Sequence, residues 1–266
     1  MAHRILFGDD GSAAADLCWL WINSQRWGDD WVVCPLTAQP PKTAVSETGE
    51  QDWAPAHPRT VLDQSSPLQV QHKRIAADPR VALCEAEDVE LMVIGPRGRG
   101  LLKAMHLGST AEWLMHHPPH PLLIANNGRP VRTAVVCTDG SDHATAAAEA
   151  LAGMPWAADV AVTVLAVDEP GMDSAAVVAE TAAVLEGAVA SVETQIQKPD
   201  ELDVFFHVRD MILDVLRERD PDLVVHGTRG LSAWNELRAG SIATSLAAHA
   251  PCSVLLAQRN TSEAAG

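Results

Sequence analysis

The chain repeats itself, and this repeat restricts its fold more than any other sequence feature. Asp10-Gly-Ser near the start matches Asp139-Gly-Ser near the middle, 129 residues later. Three further segments match in the same order at a separation of 132 residues: LMVIGPRGRG with LVVHGTRGLS, HLGST with RAGSI, and PPHPLLIA with APCSVLLA. Such order and register indicate two copies of a unit of about 130 residues. We therefore predict two domains, residues 1–128 and 129–266, joined near the polar segment 126–130.

The overall charge excludes several classes of partner. The 266 residues carry a net charge of −16, while 47 % of them are hydrophobic, which is typical of a globular protein. A non-specific nucleic-acid binder needs a basic footprint, and an anionic membrane surface attracts basic proteins. We therefore expect neither nucleic acid nor membrane among the partners, and any anionic ligand must be held by local groups.

The first residues and the cysteines indicate a compartment. The segment MAHRILFGDDGS lacks the apolar stretch of a signal peptide, and no run approaches the ~18 apolar residues of a membrane span. The five cysteines are scattered, odd in number and without CxxC pairing, which favours reduced thiols over disulfides or a zinc site. The sequence therefore predicts a cytoplasmic protein.

The second copy gives the architecture of one unit. Short apolar runs predict strands at 131–138, 159–167, 204–208, 222–227 and 252–258, and helical patterns lie between them at 146–154, 173–197, 211–219 and 241–250. Strands without polar alternation, separated by helices, are typical of a parallel sheet covered on both faces. Each unit is therefore expected to be a five-stranded α/β unit.

The first copy follows the same order with one difference. Its second strand is predicted at 31–38, where Pro35 indicates an edge strand or a bulge. Residues 39–66 are rich in Pro, Ser and Thr and show no helical period. We therefore expect an irregular loop here, in place of the long helix that follows strand two in the second copy.

A glycine motif recurs at identical spacing after the fourth strand of each copy. Glycine allows close approach of the backbone, and Gly-Ser at a helix start offers free N–H groups, a hydroxyl and the positive end of the helix dipole. Such an arrangement binds anions, although the same residues are also ordinary strand-end and N-cap choices. The motif residues are Gly95, Gly98, Gly108, Ser109 and Thr110 in the first copy, and Gly227, Gly230, Gly240 and Ser241 in the second.

Asp-Gly-Ser after strand one and G-x2-G-x9-G-[ST] after strand four resemble the universal stress protein family, in its tandem two-domain form. The resemblance covers nearly the whole chain, and the glycine motif marks the ATP-binding branch of that family. It implies two five-stranded parallel α/β units of adenine-nucleotide α-hydrolase-like (Rossmann-like) type. It also implies that ATP or a related adenine nucleotide, with or without Mg²⁺, is the ligand.

The resemblance implies roles for particular residues. The glycines, Ser109, Thr110 and Ser241 would hold the phosphates, and Asp10 and Asp139 would lie beside the nucleoside. Alignment of the second strands places Ala38 and Val167 against the adenine. The final strands, 122–126 and 254–258, would pair the two units into an intrachain pseudo-dimer, and two chains could pair further as a homodimer.

The two copies depart from each other in ways that bear on binding. Pro96 removes a backbone donor from the first loop, and Ile242 stands where the first copy has Thr110. Residues 1–130 carry 11 Lys and Arg against 15 acids, a net charge of −4, and residues 131–266 carry 8 against 20, a net charge of −12. The less negative charge of the first copy favours it as a binder of polyphosphate. The more complete fold of the second copy favours that copy. We expect both to bind, with unequal affinity.

Three other features remain as alternatives. The cluster His116, His117 and His120 is interpreted as helix-end histidines, because the second copy has no such cluster. Asp9 beside Asp10 could recruit Mg²⁺ or serve only the local turn. His226 could touch a ligand or simply pack.

The sequence favours a binding function. No Ser–His–Asp or Cys–His set is indicated by spacing, and no general base recurs in both copies. We expect an ATP-binding stress or regulatory protein that is not an enzyme, or at most a weak ATPase. The alternatives are a nucleotide-free interaction module of the same fold and, less favoured, a slow ATPase.

Overall fold

The computed structural model describes residues 2–38, 68–98, 107–116, 118–199, 207–229 and 240–259. We call residues 1–128 the first half and residues 129–266 the second half. The strands described in the first half are β1 (His3–Gly8), β2 (Trp31–Ala38), β3 (Gln69–Val70), β4 (Lys73–Ile75), β5 (Leu91–Ile94) and β6 (Leu122–Ile124). Its described helices are α1 (Ala13–Ser24), α2 (Pro79–Cys84) and α3 (Ser109–His116).

The second half alternates strands and helices in the same order. Its strands are β7 (Thr133–Cys137), β8 (Ala161–Val167), β9 (Ser191–Gln197), β10 (Leu223–Gly227) and β11 (Ser253–Ala257). Its described helices are α4 (Asp142–Ala152), α5 (Ser174–Leu185), α6 (Val208–Arg219) and α7 (Ser241–His249), with a short 3-10 helix at Ala157–Asp159.

The eleven strands of the described residues form one sheet, in the order β3-β2-β1-β5-β6-β11-β10-β7-β8-β9, with β4 also beside β2. Pairing is parallel within each half. The halves meet where β6 and β11 run antiparallel, with Leu123 opposite Leu255. The predicted α/β fold class is therefore confirmed, and the final strands pair within the chain as expected.

The two halves share their cores. Leu123 and Leu255 lie in the hydrophobic cluster on one face of the sheet, and Leu122 and Leu256 lie in the cluster on the other face. Each cluster draws side chains from both halves, and all four of these leucines are at most 1 % exposed. Because apolar burial is the main stabilising term, neither half has a complete core of its own.

Side-chain hydrogen bonds reinforce this junction in a nearly symmetric way. The amide of Asn126 donates to the carbonyl of Cys252 at 2.8 Å, and that of Gln258 donates to the carbonyl of Pro118 at 2.8 Å. The buried Gln25 accepts from the backbone N–H of Val131.

Tryptophans from both halves form a cluster behind the junction. Trp21 of α1 lies edge-on to Trp156 of the second half, with ring centroids 5.9 Å apart and planes at 88°. Trp27 contacts both rings in the same edge-to-face manner. This geometry is favoured for aromatic pairs. The indole N–H groups of Trp21 and Trp156 have no hydrogen-bond partner among the described residues, which costs part of that stabilisation.

The prediction of one helix over 173–197 is wrong in its second part. The helix ends at Leu185, Gly187 adopts a left-handed φ of 80°, and residues Ser191–Gln197 form β9 at the edge of the sheet. An edge strand exposes most of its side chains, so β9 presents polar residues where a buried strand would show an apolar run.

The prediction of strand three at 204–208 is also wrong, because β9 occupies that place. His207 precedes α6 and Val208 is its first residue, whereas residues 204–206 lie outside the described part of the chain. The loop predicted over 39–66 likewise lies outside the described residues.

Pro35 lies in an internal strand, so the expectation of an edge or a bulge is wrong. β2 pairs with β1 without interruption from His3–Trp31 to Gly8–Leu36. On its other side, Val33 accepts from the N–H of Gln71, and β3 then gives way to β4. Because alternate residues of a parallel strand bond to alternate sides, the missing N–H of Pro35 faces this break.

Candidate functional site

The first Asp-Gly-Ser motif builds the turn between β1 and α1. The Oδ1 atom of Asp10 accepts from the N–H of Ser12 at 2.9 Å, and Gly11 adopts a φ of 68° that favours glycine. The hydroxyl of Ser12 then caps α1 by accepting from the N–H of Ala15. The motif therefore ends the strand and begins the helix.

The second Asp-Gly-Ser motif is built in the same way. Asp139 accepts from the N–H of Ser141 at 3.0 Å, and Gly140 adopts a φ of 78°. Ser141 caps α4 through the N–H of Ala144. The halves therefore share this turn down to individual hydrogen bonds.

Asp9 also serves the turn. It is 5 % exposed, and its Oδ1 atom accepts from the N–H of Gly11 at 2.9 Å. In the second half, the hydroxyl of Thr138 accepts from Gly140 in the equivalent place. Local turn chemistry accounts for this carboxylate oxygen.

The first glycine of each G-x2-G-x9-G motif is needed for packing. A Cβ atom on Gly95 would lie 2.7 Å from the Cβ of Ala14 in α1. A Cβ on Gly227 would lie 2.7 Å from the carbonyl carbon of His143 in α4. These glycines let the first turn of a helix rest directly on the end of a strand.

The third glycine closes the loop identically in both halves. The N–H of Gly108 donates to the carbonyl of Pro96 at 2.7 Å, and that of Gly240 donates to the carbonyl of Thr228 at 2.8 Å. The backbone frame of the predicted phosphate loop is therefore repeated as well as its sequence.

The structure corrects the interpretation of Pro96 as a lost ligand donor. Its counterpart Thr228 directs its N–H to the carbonyl of Ala257 in the neighbouring strand, at 2.8 Å. The donor that proline removes is one used for strand pairing, so the first loop loses no hydrogen bond to a ligand.

The second glycine of the first motif lies against the aspartate of the first turn. A Cβ atom on Gly98 would collide with the Oδ2 atom of Asp10. Two segments that are far apart in sequence therefore meet at the carboxyl end of the sheet, where ligands bind in parallel α/β folds.

The seven residues predicted for the first half all line one cavity of about 580 Å³. This volume is within the range of small-molecule sites. The seven are Asp10, Ala38, Gly95, Gly98, Gly108, Ser109 and Thr110.

The cavity has two chemically different ends. One is apolar and is formed by Leu36, Ala38, Pro79 and Leu83. The other is formed by the glycine loop and the start of α3, whose first N–H groups have no partner within the helix. The exposed Arg97 also lines it.

Most of the apolar wall was not predicted from the sequence. Pro79 and Leu83 belong to α2, which no repeated motif marks. The available signal is the Asp-Pro pair at its start, where Asp78 caps the helix through the N–H of Arg80. The Arg80 side chain lowers the pKa of Asp78 to about 2 by hydrogen bonding.

The predicted residues of the second half are described in part. Asp139, Val167, Gly227, Gly240 and Ser241 lie at the corresponding places, and Gly230 lies outside the described residues. The alignment of Ala38 with Val167 agrees with the register, because Asp9 donates to Leu36 as Thr138 donates to Leu165.

Two histidines distinguish the second half. His226 stands where the first half has Ile94, and its Nδ1 atom bonds to the carbonyl of Gly227. Burial lowers its pKa, against the opposing effects of that bond and of Asp139. His143 accepts from the N–H of Arg259 at 3.1 Å, and burial, followed by the charge of Arg229, lowers its pKa.

The histidine cluster of the first half is described in part. His120 bonds through Nε2 to the carbonyl of Ala86 at 2.9 Å, and His117 lies outside the described residues. Within the described ranges, no three His, Cys, Asp or Glu side chains are grouped so that they could hold a metal ion.

All five cysteines are free thiols. Among the described helices, none has both the length and the apolar character needed to cross a membrane.

Comparisons with known proteins agree with this architecture. The model of the universal stress protein family matches residues 1–126 and again residues 130–258. A universal stress protein from Archaeoglobus fulgidus aligns over 97 % of this chain and 98 % of its own, with 18 % identity and a TM-score of 0.72. A functionally unknown protein from Pseudomonas aeruginosa aligns over 96 % and 92 %, with 16 % identity and a TM-score of 0.62.

A universal stress protein in complex with cAMP aligns over 49 % of this chain and 98 % of its own, with 24 % identity and a TM-score of 0.39. No match was found among curated proteins.

Proposed function

The chain belongs to the universal stress protein family, and on that premise we propose that its first half binds an adenine nucleotide, as ATP, ADP or AMP. The observation that carries the proposal is the single cavity of about 580 Å³. It collects the glycine motif, the strand-one aspartate and the end of strand two, which are separate in sequence. Its apolar and polar ends match the two ends of a nucleotide.

The polar end supplies what a phosphate needs without a large positive charge. The N-terminus of α3 offers backbone N–H groups and the positive end of its dipole, and Ser109 and Thr110 add hydroxyls. Arg97 adds one guanidinium at the same end of the cavity. Local donors can therefore hold an anion on a chain whose net charge is −16.

The apolar end suits a base. Ala38, at the end of β2, is small enough to leave room for a planar ring, and Leu36 and Leu83 provide flat apolar contact. Burying an aromatic ring against such side chains is favourable by the area removed from water. Asp10 lies against Gly98 of the glycine loop, and we place the ribose beside it.

We expect Mg²⁺, where it accompanies the nucleotide, to be held chiefly by phosphate oxygens. The described residues contain no three-residue acidic or histidine group that could hold a metal alone. Mg²⁺ commonly binds through substrate phosphates, with few protein ligands.

Turnover is proposed to be slow or absent. The described lining includes no histidine or glutamate, and its two carboxylates, Asp9 and Asp10, accept backbone hydrogen bonds in the turn after β1. We therefore assign neither of them to the activation of water. Occupancy by nucleotide would then set conformation or partner choice in the cytoplasm, in a regulatory or stress-protective role. Weak ATPase activity is the enzymatic alternative, and measured phosphate release would favour it.

The second candidate is an interaction module whose pocket has no nucleotide role. Leu20 and Leu17 on α1 favour it, since they are 55 % and 37 % exposed although large and apolar. Dimerisation through this face, or through a free edge of the sheet, would not require a ligand.

One pair of measurements separates these functions. Mass spectrometry of the denatured protein identifies any co-purified nucleotide, and calorimetric titration with ATP gives its affinity. Gly108→Asp places a carboxylate at the phosphate end and a Cβ 3.3 Å from the Cα of Arg97. We expect it to weaken ATP binding about tenfold or more, because like charges in a binding site cost several kcal/mol.

A charge-matched control is Gly153→Asp, at the exposed end of α4, where a new Cβ meets only ordinary contacts. It should leave ATP affinity unchanged. Absence of co-purified nucleotide together with no titratable ATP binding in the unaltered protein would contradict the nucleotide function and favour the interaction module.

A further inference from the structure

The two halves differ most in the floor of the cavity, beneath the shared loop. We propose that the chain binds a single nucleotide, in the first half, and that Cys137, Val167 and His226 close the corresponding space in the second half. The inference rests on the proposed function and deepens it by stating which half binds and which side chains decide.

The described part of the loop backbone is alike in the two halves. Gly240 bonds to Thr228 as Gly108 bonds to Pro96, and both strand-one turns have the same hydrogen bonds. We therefore assign the exclusion of a nucleotide from the second half to side chains beside this frame.

The floor of the first-half cavity is made by neighbouring strand ends. Gly8 at the end of β1 lies between Leu36 of β2 and Ile94 of β5 in the sheet, and Ala38 ends β2. All four residues line the cavity. A Cβ atom on Gly8 would be only 3.1 Å from the Cγ2 of Ile94. Ile94 can therefore pack closely against residue 8 because glycine has no side chain. Ile94 is accordingly 4 % exposed.

The same floor in the second half is filled at three positions. Cys137 replaces Gly8, His226 replaces Ile94 and Val167 replaces Ala38, and each replacement adds two non-hydrogen atoms. Cys137 is 2 % exposed, so its side chain is buried at the position where Gly8 has none. His226 is more exposed than Ile94, and its Nδ1 atom bonds to the carbonyl of Gly227.

Charge acts in the same direction. Burial lowers the pKa of His226, which disfavours the positive charge that would attract a phosphate. Asp139 lies close enough to act on that imidazole. The second half also carries a net charge of −11 against −5 for the first. An added polyphosphate would meet a filled floor and an adverse field.

The first test counts sites on the full chain by calorimetric titration with ATP. We expect one site per chain, which Gly108→Asp removes and Gly240→Asp leaves in place. Two sites per chain, or a site lost in Gly240→Asp and retained in Gly108→Asp, would overturn the inference while leaving nucleotide binding intact. No site at all in the unaltered chain would overturn the proposed function and the inference together.

The second test exchanges the floors. Gly8→Cys/Ala38→Val/Ile94→His should reduce ATP affinity of the first half at least tenfold, with circular dichroism confirming the fold. Cys137→Gly/Val167→Ala/His226→Ile should raise the count to two sites per chain. If Cys137→Gly prevents folding, Val167→Ala/His226→Ile gives the same reading from a smaller change. A folded first-half variant with unchanged affinity, or a folded second-half variant that still has one site, would refute the role of these side chains.

Discussion

The two halves of this protein have the same frame and different interiors at the site. The frame comprises the Asp-Gly-Ser turn, the helix cap and the bond that closes the glycine loop, each repeated with nearly equal distances. The interior differs because Cys137 and His226 stand in the second half where the first half has Gly8 and Ile94. Hydrogen-bonded turns tolerate little change because an unmet buried group is costly, whereas floor side chains need only to pack.

The halves also differ in what their motif residues are needed for. Gly95, Gly227 and the two aspartates have structural roles visible without any ligand. A duplicated motif can therefore persist in a half that binds nothing. The comparison teaches that motif matches identify the loop, while the neighbouring strand ends decide whether it is a site.

The largest expected effect concerns the junction. Leu123→Ala and Leu255→Ala each remove a fully buried side chain from the shared core, and each should lower the free energy of unfolding by about 3 kcal/mol. Because the core is shared, urea unfolding should remain a single transition when followed by tryptophan fluorescence and by circular dichroism. A biphasic curve, with one half unfolding first, would contradict the claim that the two halves share their cores.

A somewhat smaller loss of stability is expected from substitution of Gly95 or Gly227, the first glycine of each motif. Gly95→Ala and Gly227→Ala should each destabilise the protein by about 2 kcal/mol, because helix and strand must move apart. The added methyl of Gly95→Ala meets a side chain, the Cβ of Ala14, whereas that of Gly227→Ala meets the peptide between His143 and Ala144.

The rescue variant distinguishes these cases. Ala14→Gly should restore part of the stability lost in Gly95→Ala, less the cost of glycine in a helix, about 1 kcal/mol. His143→Gly should restore less of the loss in Gly227→Ala, because it removes the contact with the Cβ of His143 at 2.9 Å but leaves those with the peptide between His143 and Ala144. Equal rescue in both halves, measured from urea midpoints, would show that the clash with backbone atoms is relieved in another way.

The helix caps should behave alike in the two halves. Ser12→Ala and Ser141→Ala each remove one hydroxyl that accepts a helix N–H at 3.2 Å, and each should cost about 1 kcal/mol. Thermal unfolding measures both. If the losses of stability in the two variants differ by more than about 1 kcal/mol, the expected cost of one cap, the two frames are not equivalent.

The smallest effect is a pH dependence that originates in the second half. The pKa values of His143 and His226 are lowered on folding, so the folded state binds fewer protons than the unfolded state. This stability is present above the unfolded pKa of about 6.5 and is lost as pH falls through the folded pKa values. His143→Gln should reduce the loss of stability between pH 7 and pH 5, measured by urea unfolding. An unchanged loss would show that other groups cause it.

Much of this fold was predictable because local rules and tertiary packing agree. The β2 strand has the predicted bounds, and the final strands pair as the family resemblance implies. The region 173–197 was misinterpreted because Ala, Val and Leu suit both a helix and a strand. Only Gly187 and the alternating burial of β9 mark the change, and the latter is visible only at the edge of a folded sheet.

The candidate site shows the same division. The glycines, Asp10 and Ala38 could be found from spacing and resemblance, because a turn and a helix start need particular residues close together in sequence. Pro79 and Leu83 could not, since no repeated motif marks the short helix that brings them to the cavity.

The sequence by itself determined that there are two copies, where their loops lie and how the total charge is divided, because these are properties of order and composition. The tertiary structure alone decided that both copies share one sheet and one pair of cores. It also decided which residues form the floor. Strand register places Gly8 beside Ile94 and Cys137 beside His226, although each pair is more than eighty residues apart in the chain. Whether a loop has room for a ligand depends on such long-range neighbours, which no local pattern encodes.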